Sequence, residues 1–435
     1  MFPSTSADNF CKFNQRNLMI YRFFFECPSC DTILKLRVGA SFNDRPFYIL
    51  CAECNALTKI RTKVHIDDDS SLPIPTAEND YESDDGKLLF PGKDIPSKHT
   101  ITLHPDLPSV INSKDFDNEK DSLFTFHFSQ MKNEYLNYQK RMQKINSLTK
   151  KDYSALKTLV HHYLERNWNY FYKMRKNIFH DIWENDNAKY TVHSQLPDIL
   201  QAVFHPYIID ENAFKKTCLF FKNPSKIDNF KSKIKLAFAE EEMQLHQKRL
   251  LHCLELWIEK LPLMLISFPL FFYKKNNRAI KNMRIYYDDF ASLRDLYENT
   301  FESCLHVMSF TIALLNQNFR KSPRKFSKKK NFNKKKITSF AEFANIRKYD
   351  DKFKFLKEDK VLYYFLKTHL QKNFRNATSH SKTFHNMETG IIESHWPAQQ
   401  DVQYLFFVAD CLKLIEILLF NINCIGKHYP FENVP

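Results

Sequence analysis

Glycine is scarce in this chain of 435 residues, which contains only 5, namely Gly39, Gly86, Gly92, Gly390 and Gly426. No two of them have the spacing of a GxGxxG or GxxxxGK loop, in which glycines let the backbone approach a phosphate closely. The glycine pair of a GxSxG nucleophile elbow is missing as well. The sequence therefore excludes Rossmann-type enzymes, P-loop NTPases and GxSxG hydrolases.

Long apolar runs are also missing. The longest, Leu261 to Tyr273, contains two prolines and is well below the roughly 20 residues that a membrane span requires. Residues 404–425 are apolar too, but charged residues recur there at helical spacing, which predicts a buried amphipathic helix. We therefore expect no membrane partner, and membrane attachment through Leu261–Tyr273 is the minor alternative.

The first ten residues, MFPSTSADNF, lack both the basic and the apolar region of a secretory signal. A cytoplasmic protein is the expectation that follows. Because that compartment is reducing, we do not expect the 10 cysteines of the chain to form disulfides.

Positive charge is concentrated in one short segment. The chain has 64 Lys and Arg against 50 Asp and Glu, a net charge of +14, and residues 320–336 contribute +10 of it. Two aromatic residues, Phe326 and Phe332, lie among these charges, so the loop can contact phosphates and stack on bases. The alternative is a solvated loop that binds nothing specific. The predicted RNA-binding residues are Arg320, Lys321, Arg324, Lys325, Lys328, Lys329, Lys330, Lys334, Lys335 and Lys336.

The hydrophobic pattern predicts a mainly α protein with a small N-terminal β module. Short β-branched and aromatic runs place the β module at residues 18–64. Residues 65–115 are predicted to be an acidic linker and irregular segment, because eight carboxylates at 67–85 leave little apolar surface to bury. Apolar residues then recur at helical spacing, which defines a middle helical region, 116–235, and a C-terminal helical domain, 236–435. The long helices are predicted at Leu156–Ile182, Ile280–Leu315, Val361–Phe374 and about Ala398–Cys424.

Two CxxC pairs form the strongest motif of the sequence. Cys27 and Cys30 make the first pair, Cys51 and Cys54 the second, and 20 residues lie between the pairs. Two residues between thiols let one turn present both sulfurs to the same tetrahedral ion. The pattern resembles a zinc ribbon, and the resemblance implies a structural Zn²⁺ held by all four cysteines. Iron or an empty site remains open, as does whether the ribbon binds nucleic acid or protein.

A second motif, Arg-Asn-Ala-Thr-Ser-His, occupies residues 375–380. A histidine can exchange a proton with a ribose hydroxyl at neutral pH, and a nearby guanidinium can hold the charged phosphate. Five positions on a helix rotate a side chain by about 140°. Arg375 and His380 therefore meet only if the arginine bends, the helix is irregular, or a second copy completes the site. Alternatively, Thr378 or Ser379 caps a helix and both side chains are merely exposed.

The motif, in its helical setting, resembles the catalytic signature of HEPN-domain ribonucleases, in which a polar residue follows the arginine and a histidine closes the motif. The resemblance covers roughly residues 280–425. It implies a HEPN-like helical bundle, a homodimer with facing motifs, and metal-independent endoribonuclease activity on RNA. The implied catalytic residues are Arg375, Asn376 and His380. Proteins of this kind are often bacterial toxins or anti-phage abortive-infection effectors. The resemblance therefore implies a toxin or an antiviral defence role.

Two alternatives accompany this hypothesis. A second Arg-x4-His pair, Arg175 and His180, allows a tandem HEPN arrangement within one chain, although a lysine follows this arginine. The other alternative is a non-catalytic nucleic-acid-binding or scaffold protein that uses the ribbon and the basic loop. The polar residues that follow the motif, His385, Glu388, Glu393 and His395, are expected either to line its cleft or to belong to a polar loop.

Overall fold

A computed structural model describes residues 20–39, 45–62, 65–66, 75–76, 87–89, 97, 99–104, 106–110, 123–148, 150–178, 192–220, 229–273, 278–326, 331–332, 335–346, 348–371, 375, 383–394 and 402–431. Two compact units share this chain. Unit 1 comprises residues 1–139, 262–290 and 382–409, and unit 2 comprises residues 140–261, 291–381 and 410–435. The described residues are mainly helical, as expected, with small strands in unit 1 and one strand pair in the basic loop.

The strands are short. They are β1 (Ile20–Glu26), β2 (Ile33–Gly39), β3 (Arg45–Leu50), β4 (Leu57–Thr62), β5 (His65–Ile66), β6 (Pro75–Thr76), β7 (Lys87–Leu89), β8 (His99–Leu103), β9 (Ser109–Val110), β10 (Met283–Arg284), β11 (Asn331–Phe332), β12 (Lys335–Lys336), β13 (Thr383–Asn386), β14 (Ile391–Ser394) and β15 (Val402–Gln403).

The helices follow the β module along the chain. They are α1 (Leu123–Met131), α2 (Tyr135–Ser147), α3 (Lys150–Leu164), α4 (Trp168–Ile178), α5 (Val192–Phe204), α6 (Glu211–Phe220), α7 (Phe230–Ala237), α8 (Glu240–Met264), α9 (Phe290–Arg320), α10 (Phe340–Ala344), α11 (Tyr349–Phe353), α12 (Lys360–His369) and α13 (Tyr404–His428). Short 3-10 segments connect several of them.

Unit 1 contains the predicted β module. Strands β1 and β2 form an antiparallel hairpin, and β3 and β4 form a second one. Leu34, Leu36 and Val38 lie on one face of β2, since strand side chains point to opposite faces in turn, and all three are buried. Arg37 and Gly39 of the same strand are buried as well. The three apolar residues join a core of side chains from both hairpins and from β8: Phe25, Leu34, Leu36, Val38, Phe47, Ile49, Ile60 and Leu103.

The segment predicted to be a linker, 65–115, contributes strands to this module. β7 pairs with β1 and β8 pairs in parallel with β2, so the sheet order is β7-β1-β2-β8. Leu103 of β8 is fully buried in the core, which explains why this part of the segment is ordered. All eight acidic residues at 67–85 lie outside the described residues.

Unit 2 is built around the C-terminal helix α13. Most of its residues from Asp410 onward are buried, which identifies it as the core helix that the apolar pattern predicts. Trp257 of α8 donates from Nε1 to the carbonyls of Cys411 and Leu412 at 3.2 and 3.3 Å. Gly426 lies against the His193 carbonyl of α5, where a side chain has no room.

Three predicted helices have different boundaries in the structure. The helix expected at 156–182 is two helices, since Arg166 adopts a left-handed φ of 57° between α3 and α4. Trp168 then packs on Tyr163, so the apolar period continues although the helix does not. The helix expected from residue 280 begins at Phe290, whose N–H donates to Asp288 Oδ1 at 3.1 Å. The helix expected to reach Phe374 ends at His369.

Segments 262–290 and 382–409 belong to unit 1 together with residues 1–139. The predicted boundaries at residues 115 and 235 stay predictions. The apolar run 261–273 completes α8 and forms a 3-10 segment with Phe268 fully buried. No helix in the described part of the chain combines the length and apolarity of a membrane span. The HEPN-like arrangement of the bundle stays a prediction.

Candidate functional site

The two cysteine pairs lie in turns with the same backbone hydrogen bonds. In the turns that begin at Cys27 and Cys51, the cysteine N–H donates to the carbonyl five residues later, and the cysteine carbonyl accepts from the N–H four residues later, at 2.9–3.0 Å. Asp31 and Asn55 occupy the equivalent left-handed position, with φ of 56° and 58°. Aspartate and asparagine adopt this conformation more readily than most residues. The sequence thus encodes one turn twice.

The two turns bring four sulfurs together. All four Sγ atoms lie within 4.8 Å of one another. The Sγ atoms of Cys27 and Cys54 are 3.6 Å apart, and so are those of Cys30 and Cys51. Four sulfurs bound to a tetrahedral ion at about 2.3 Å are separated by about 3.8 Å. The cluster therefore has the dimensions of a tetrahedral metal site.

The two exposed thiols of the cluster differ in acidity. The side chain and the backbone N–H of Thr32 lower the pKa of Cys30 to about 6, and the Thr32 hydroxyl lies 3.1 Å from its sulfur. At Cys54 the backbone N–H of Ala56 lowers the pKa, but desolvation and the neighbouring sulfurs outweigh it and raise the pKa to about 12. A thiolate raises the pKa of a neighbouring thiol, because two like charges repel. A bound metal ion removes this repulsion by neutralising both thiolates.

Arg375, the first residue of the proposed catalytic motif, is held by two side chains of unit 2. Its Nη2 and Nε atoms lie 3.0 and 3.3 Å from Glu302 Oε1. Its guanidinium carbon lies 5.1 Å from the centre of the Tyr349 ring. The Tyr349 hydroxyl donates to the same Glu302 oxygen at 3.0 Å. The ion pair and the aromatic ring together fix the guanidinium in position.

The backbone that leads to Arg375 is attached to α9 and α13. The Arg375 N–H donates to the Gln371 carbonyl at 3.2 Å. Gln371 also accepts from the Tyr297 hydroxyl at 3.1 Å, and its amide donates to Asp410 at 3.2 Å. The other two motif residues, Asn376 and His380, lie outside the described residues. Their geometry relative to Arg375 stays a prediction.

A buried ion pair anchors the end of α12 just before this segment. His369 Nε2 lies 2.8 Å from Glu416 Oε2, and His369 Nδ1 lies 2.7 Å from the Phe365 carbonyl. Burial raises the pKa of Glu416, but His369 and the backbone N–H groups of Ile209 and Asp210 outweigh it and lower that pKa. The hydrogen bond between His369 and Glu416 therefore ties α12 to the core helix.

Sequence reasoning missed a group of polar side chains around Glu302. His306 follows Glu302 by one turn of α9, and its ring lies 6.3 Å from the ring of His246 on α8. Desolvation lowers the pKa of His306 and that of Lys352, while the charge of Glu302 acts on both in the opposite direction. These residues come from three helices far apart in sequence. The only sequence signal was the spacing of Glu302 and His306.

Several residues of the basic loop have partners within unit 2. Arg320, the last residue of α9, pairs with Glu358, and Arg324 donates to the Leu236 carbonyl. Phe326 is 6% exposed and packs against Phe340 and other rings, so it is not available to stack on a base, contrary to the expectation. Lys321 and Lys325 are exposed, and β11 pairs with β12. Lys328, Lys329, Lys330 and Lys334 lie outside the described residues.

The second Arg-x4-His pair is only half described. Arg175 lies in α4, where its Nη1 donates to Gln195 Oε1 at 2.6 Å and its guanidinium lies over the Tyr172 ring at 5.5 Å. These contacts are compatible with an ordinary structural arginine. His180 lies outside the described residues, so the tandem arrangement stays a prediction.

His385 belongs to the interior of unit 1 rather than to an open cleft. Its side chain is fully buried, with Nδ1 3.2 Å from Asp288 and its ring stacked on Tyr404 at 3.9 Å. Glu393 accepts from Asn386, while the Glu388 carbonyl accepts from Arg284 at 2.6 Å. His395 lies outside the described residues.

No known protein family, curated protein or solved structure matches this chain. The likeness to HEPN ribonucleases rests on residues 375–380 and their helical setting.

Proposed function

We propose that the protein is a metal-independent endoribonuclease, in which Arg375 holds the scissile phosphate, Asn376 orients it and His380 transfers the proton. The observation that supports this most is the position of Arg375. A guanidinium that is partly exposed and held by Glu302 and Tyr349 is ready to bind phosphate without first being ordered. Its fork of N–H donors also matches the oxygens of a phosphate.

The reaction needs no metal. The neighbouring ribose 2′-OH attacks the phosphorus as His380 accepts its proton, and the 5′-oxygen leaves with a proton. The products are a 2′,3′-cyclic phosphate and a 5′-hydroxyl. Arg375 stabilises the extra negative charge that develops on the phosphate oxygens. A histidine suits both proton transfers because it titrates near neutral pH.

Zn²⁺ is the metal that we assign to the four cysteines, with a structural role. Four thiolates fill the tetrahedron and leave no position for water or substrate. The ribbon would then stabilise unit 1 and offer a binding surface. By resemblance, the biological role is that of a toxin or anti-phage effector acting as a homodimer on cellular RNA.

The test is the chemistry of the products. The purified protein is incubated with a 5′-labelled RNA, with EDTA present, and the ends are analysed. We expect cyclic phosphate ends from RNA and no cleavage of the matching DNA, which lacks the 2′-OH. Cleavage that persists undiminished in the Arg375→Ala, His380→Ala double variant contradicts the assignment.

One observation favours a second candidate, a non-catalytic nucleic-acid-binding or scaffold protein. Because Arg375 already has a carboxylate partner in Glu302, it can serve as a purely structural ion pair. In that case the ribbon and the exposed lysines of the basic loop provide the binding surface. RNA that is bound but stays intact under all conditions, including expression in a host cell, supports this candidate.

A further inference from the structure

Three helices of unit 2 each contribute two polar residues that are one turn apart. Residues at this spacing lie on the same face of a helix. The His246 and His306 rings are nearly parallel, 20° apart, at 6.3 Å, and Tyr349 donates to Glu302, so the pairs meet. The pairs are His246 and Arg249 on α8, Glu302 and His306 on α9, and Tyr349 and Lys352 on α11.

His246 is the buried member of this group. It is 8% exposed, and its Nδ1 has no hydrogen-bond partner among the described residues. Its Nε2 lies 3.6 Å from Glu242 on the preceding turn. Buried polar nitrogens are nearly always hydrogen-bonded, so this unpaired nitrogen has a hydrogen bond to offer to a ligand.

The surroundings of the two imidazoles disfavour their protonation. Desolvation, together with the charges of His306 and Arg249, lowers the pKa of His246 to about 4. Desolvation and Arg249 also lower the pKa of His306. Two carboxylates face the cluster, Glu242 from α8 and Glu302 from α9, and Glu302 is paired with Arg375. Protonation of both imidazoles is therefore disfavoured, and a bound anion would favour their protonated forms.

We propose that His246, Arg249, His306 and Lys352 form a binding site for a tetrahedral oxyanion, the phosphate group of an RNA or of a free nucleotide. The donors are imidazole N–H groups, a guanidinium and an ammonium, all of which pair well with phosphate oxygens. A metal fits this site poorly, since the four cysteines are the only group among the described residues arranged to hold a metal ion.

The proposed site consists of residues outside the 375–380 motif. The proposal does not depend on whether the protein cleaves RNA. If the protein is a ribonuclease, the site holds a substrate phosphate near Arg375, because Glu302 of the cluster is the ion-pair partner of Arg375. In a binding protein it holds a backbone phosphate. Loss of cleavage in His380→Ala with unchanged anion binding would separate the two proposals.

The test uses sulfate, a tetrahedral dianion whose charge does not change between pH 6 and 8. Calorimetry on the full chain, with chloride replacing sulfate at constant ionic strength, should show one site. Because a dianion favours imidazolium, the pKa of each histidine is higher in the complex. Binding therefore tightens as pH falls, by about fivefold or more from pH 8 to 6. An affinity that does not change with pH overturns the proposal.

Matched variants on α8 give the second readout. Arg249→Gln should weaken sulfate binding about tenfold, the usual effect of losing a charge-assisted hydrogen bond. Lys248→Gln makes the same charge change one position away, two residues from His246 and therefore on another face of α8, and should change binding less than about twofold. His306→Gln should remove most of the pH dependence. Equal binding by the two α8 variants overturns the proposal.

Competition identifies the source of the phosphate. A short RNA that displaces sulfate while a 3′-nucleotide does not assigns the site to RNA, and the reverse result assigns it to a free nucleotide. If neither competes, the site does not bind phosphate groups.

Discussion

The cysteine cluster and the Arg375 site are built in different ways. The four sulfurs come from two turns of the same type, joined by a single stretch of chain, and each turn sets its own geometry. Arg375 instead depends on Glu302, which lies 73 residues earlier in the chain and on another helix. A local motif therefore fixes its own geometry, whereas a dispersed site depends on the whole bundle.

The largest expected effect comes from breaking the local motif. We expect about one zinc per chain and its loss in a Cys27→Ser, Cys51→Ser double variant. Structural zinc contributes on the order of 10 kcal/mol to the folding of such modules, so the β module should unfold. Elemental analysis measures the metal, and limited proteolysis should cut residues 20–62 first while the helices of unit 2 stay protected.

Cys218→Ser is the matched control, because it makes the same change at a thiol outside the cluster. It should keep the metal. Zinc that remains in the double variant would show that the cluster is not the metal site.

A smaller effect is expected from breaking a support of the dispersed site. His369→Ala leaves the Glu416 carboxylate buried without its hydrogen-bond partner Nε2, which costs about 3–5 kcal/mol. Urea denaturation should show this loss at pH 7. The more exposed pair of Lys157 and Glu259 gives the control, since Lys157→Ala should cost less than about 1 kcal/mol.

The same buried pair has a defined pH dependence. Folding lowers the pKa of Glu416 from its ordinary value of 4.5, so the pair stabilises the fold above pH 4.5 and loses this contribution as pH falls through the folded value. The difference between the native protein and His369→Ala should therefore shrink in acid. A difference that stays constant down to pH 3 argues against a charged pair.

The sequence predicted which four cysteines lie together, but not which side chains surround Arg375. The CxxC spacing and the Asp or Asn after each pair predict the turn geometry, because every hydrogen bond of each turn lies within six consecutive residues. No sequence pattern near residue 375 indicates that Glu302 and Tyr349 contact Arg375, since these contacts result from the packing of helices that are distant in sequence. For the same reason, the sequence does not indicate that His246 lies beside His306.

The sequence predicted where helices occur better than where they begin and end. The apolar period of residues 404–425 identified the core helix, because burial acts on every turn. It did not reveal the break at Arg166, since Tyr163 and Trp168 stay packed together on both sides of it. Nor did the acidic composition of 65–115 show that Leu103 completes the core of the β module.

Neutralising the basic loop should have a moderate effect on RNA binding and none on the bond that is cut. Changing Lys328, Lys329, Lys330, Lys334, Lys335 and Lys336 to Gln should flatten the dependence of log affinity on log salt. Removing one lysine–phosphate interaction lowers the slope by roughly 0.7 to 0.9. Filter binding at several salt concentrations measures this, and an unchanged slope would show that the loop does not contact RNA.

The smallest effect is expected at the second Arg-x4-His pair. Arg175→Ala removes one hydrogen bond to Gln195 and the packing on Tyr172, which costs about 1 kcal/mol in stability. RNA cleavage should stay within about threefold of the native rate if the pair is structural. A loss comparable to that of Arg375→Ala would instead favour a tandem arrangement of two motifs within one chain.

The rate of RNA cleavage in single variants of residues 375–380 tests the central claim most directly. We expect Arg375→Ala and His380→Ala each to lower the single-turnover rate by about 10² or more in EDTA, since each removes a group that acts in the transition state. Thermal melting should change little, and expression of the native protein, but not of His380→Ala, should be toxic. Native rates in both single variants would contradict the account.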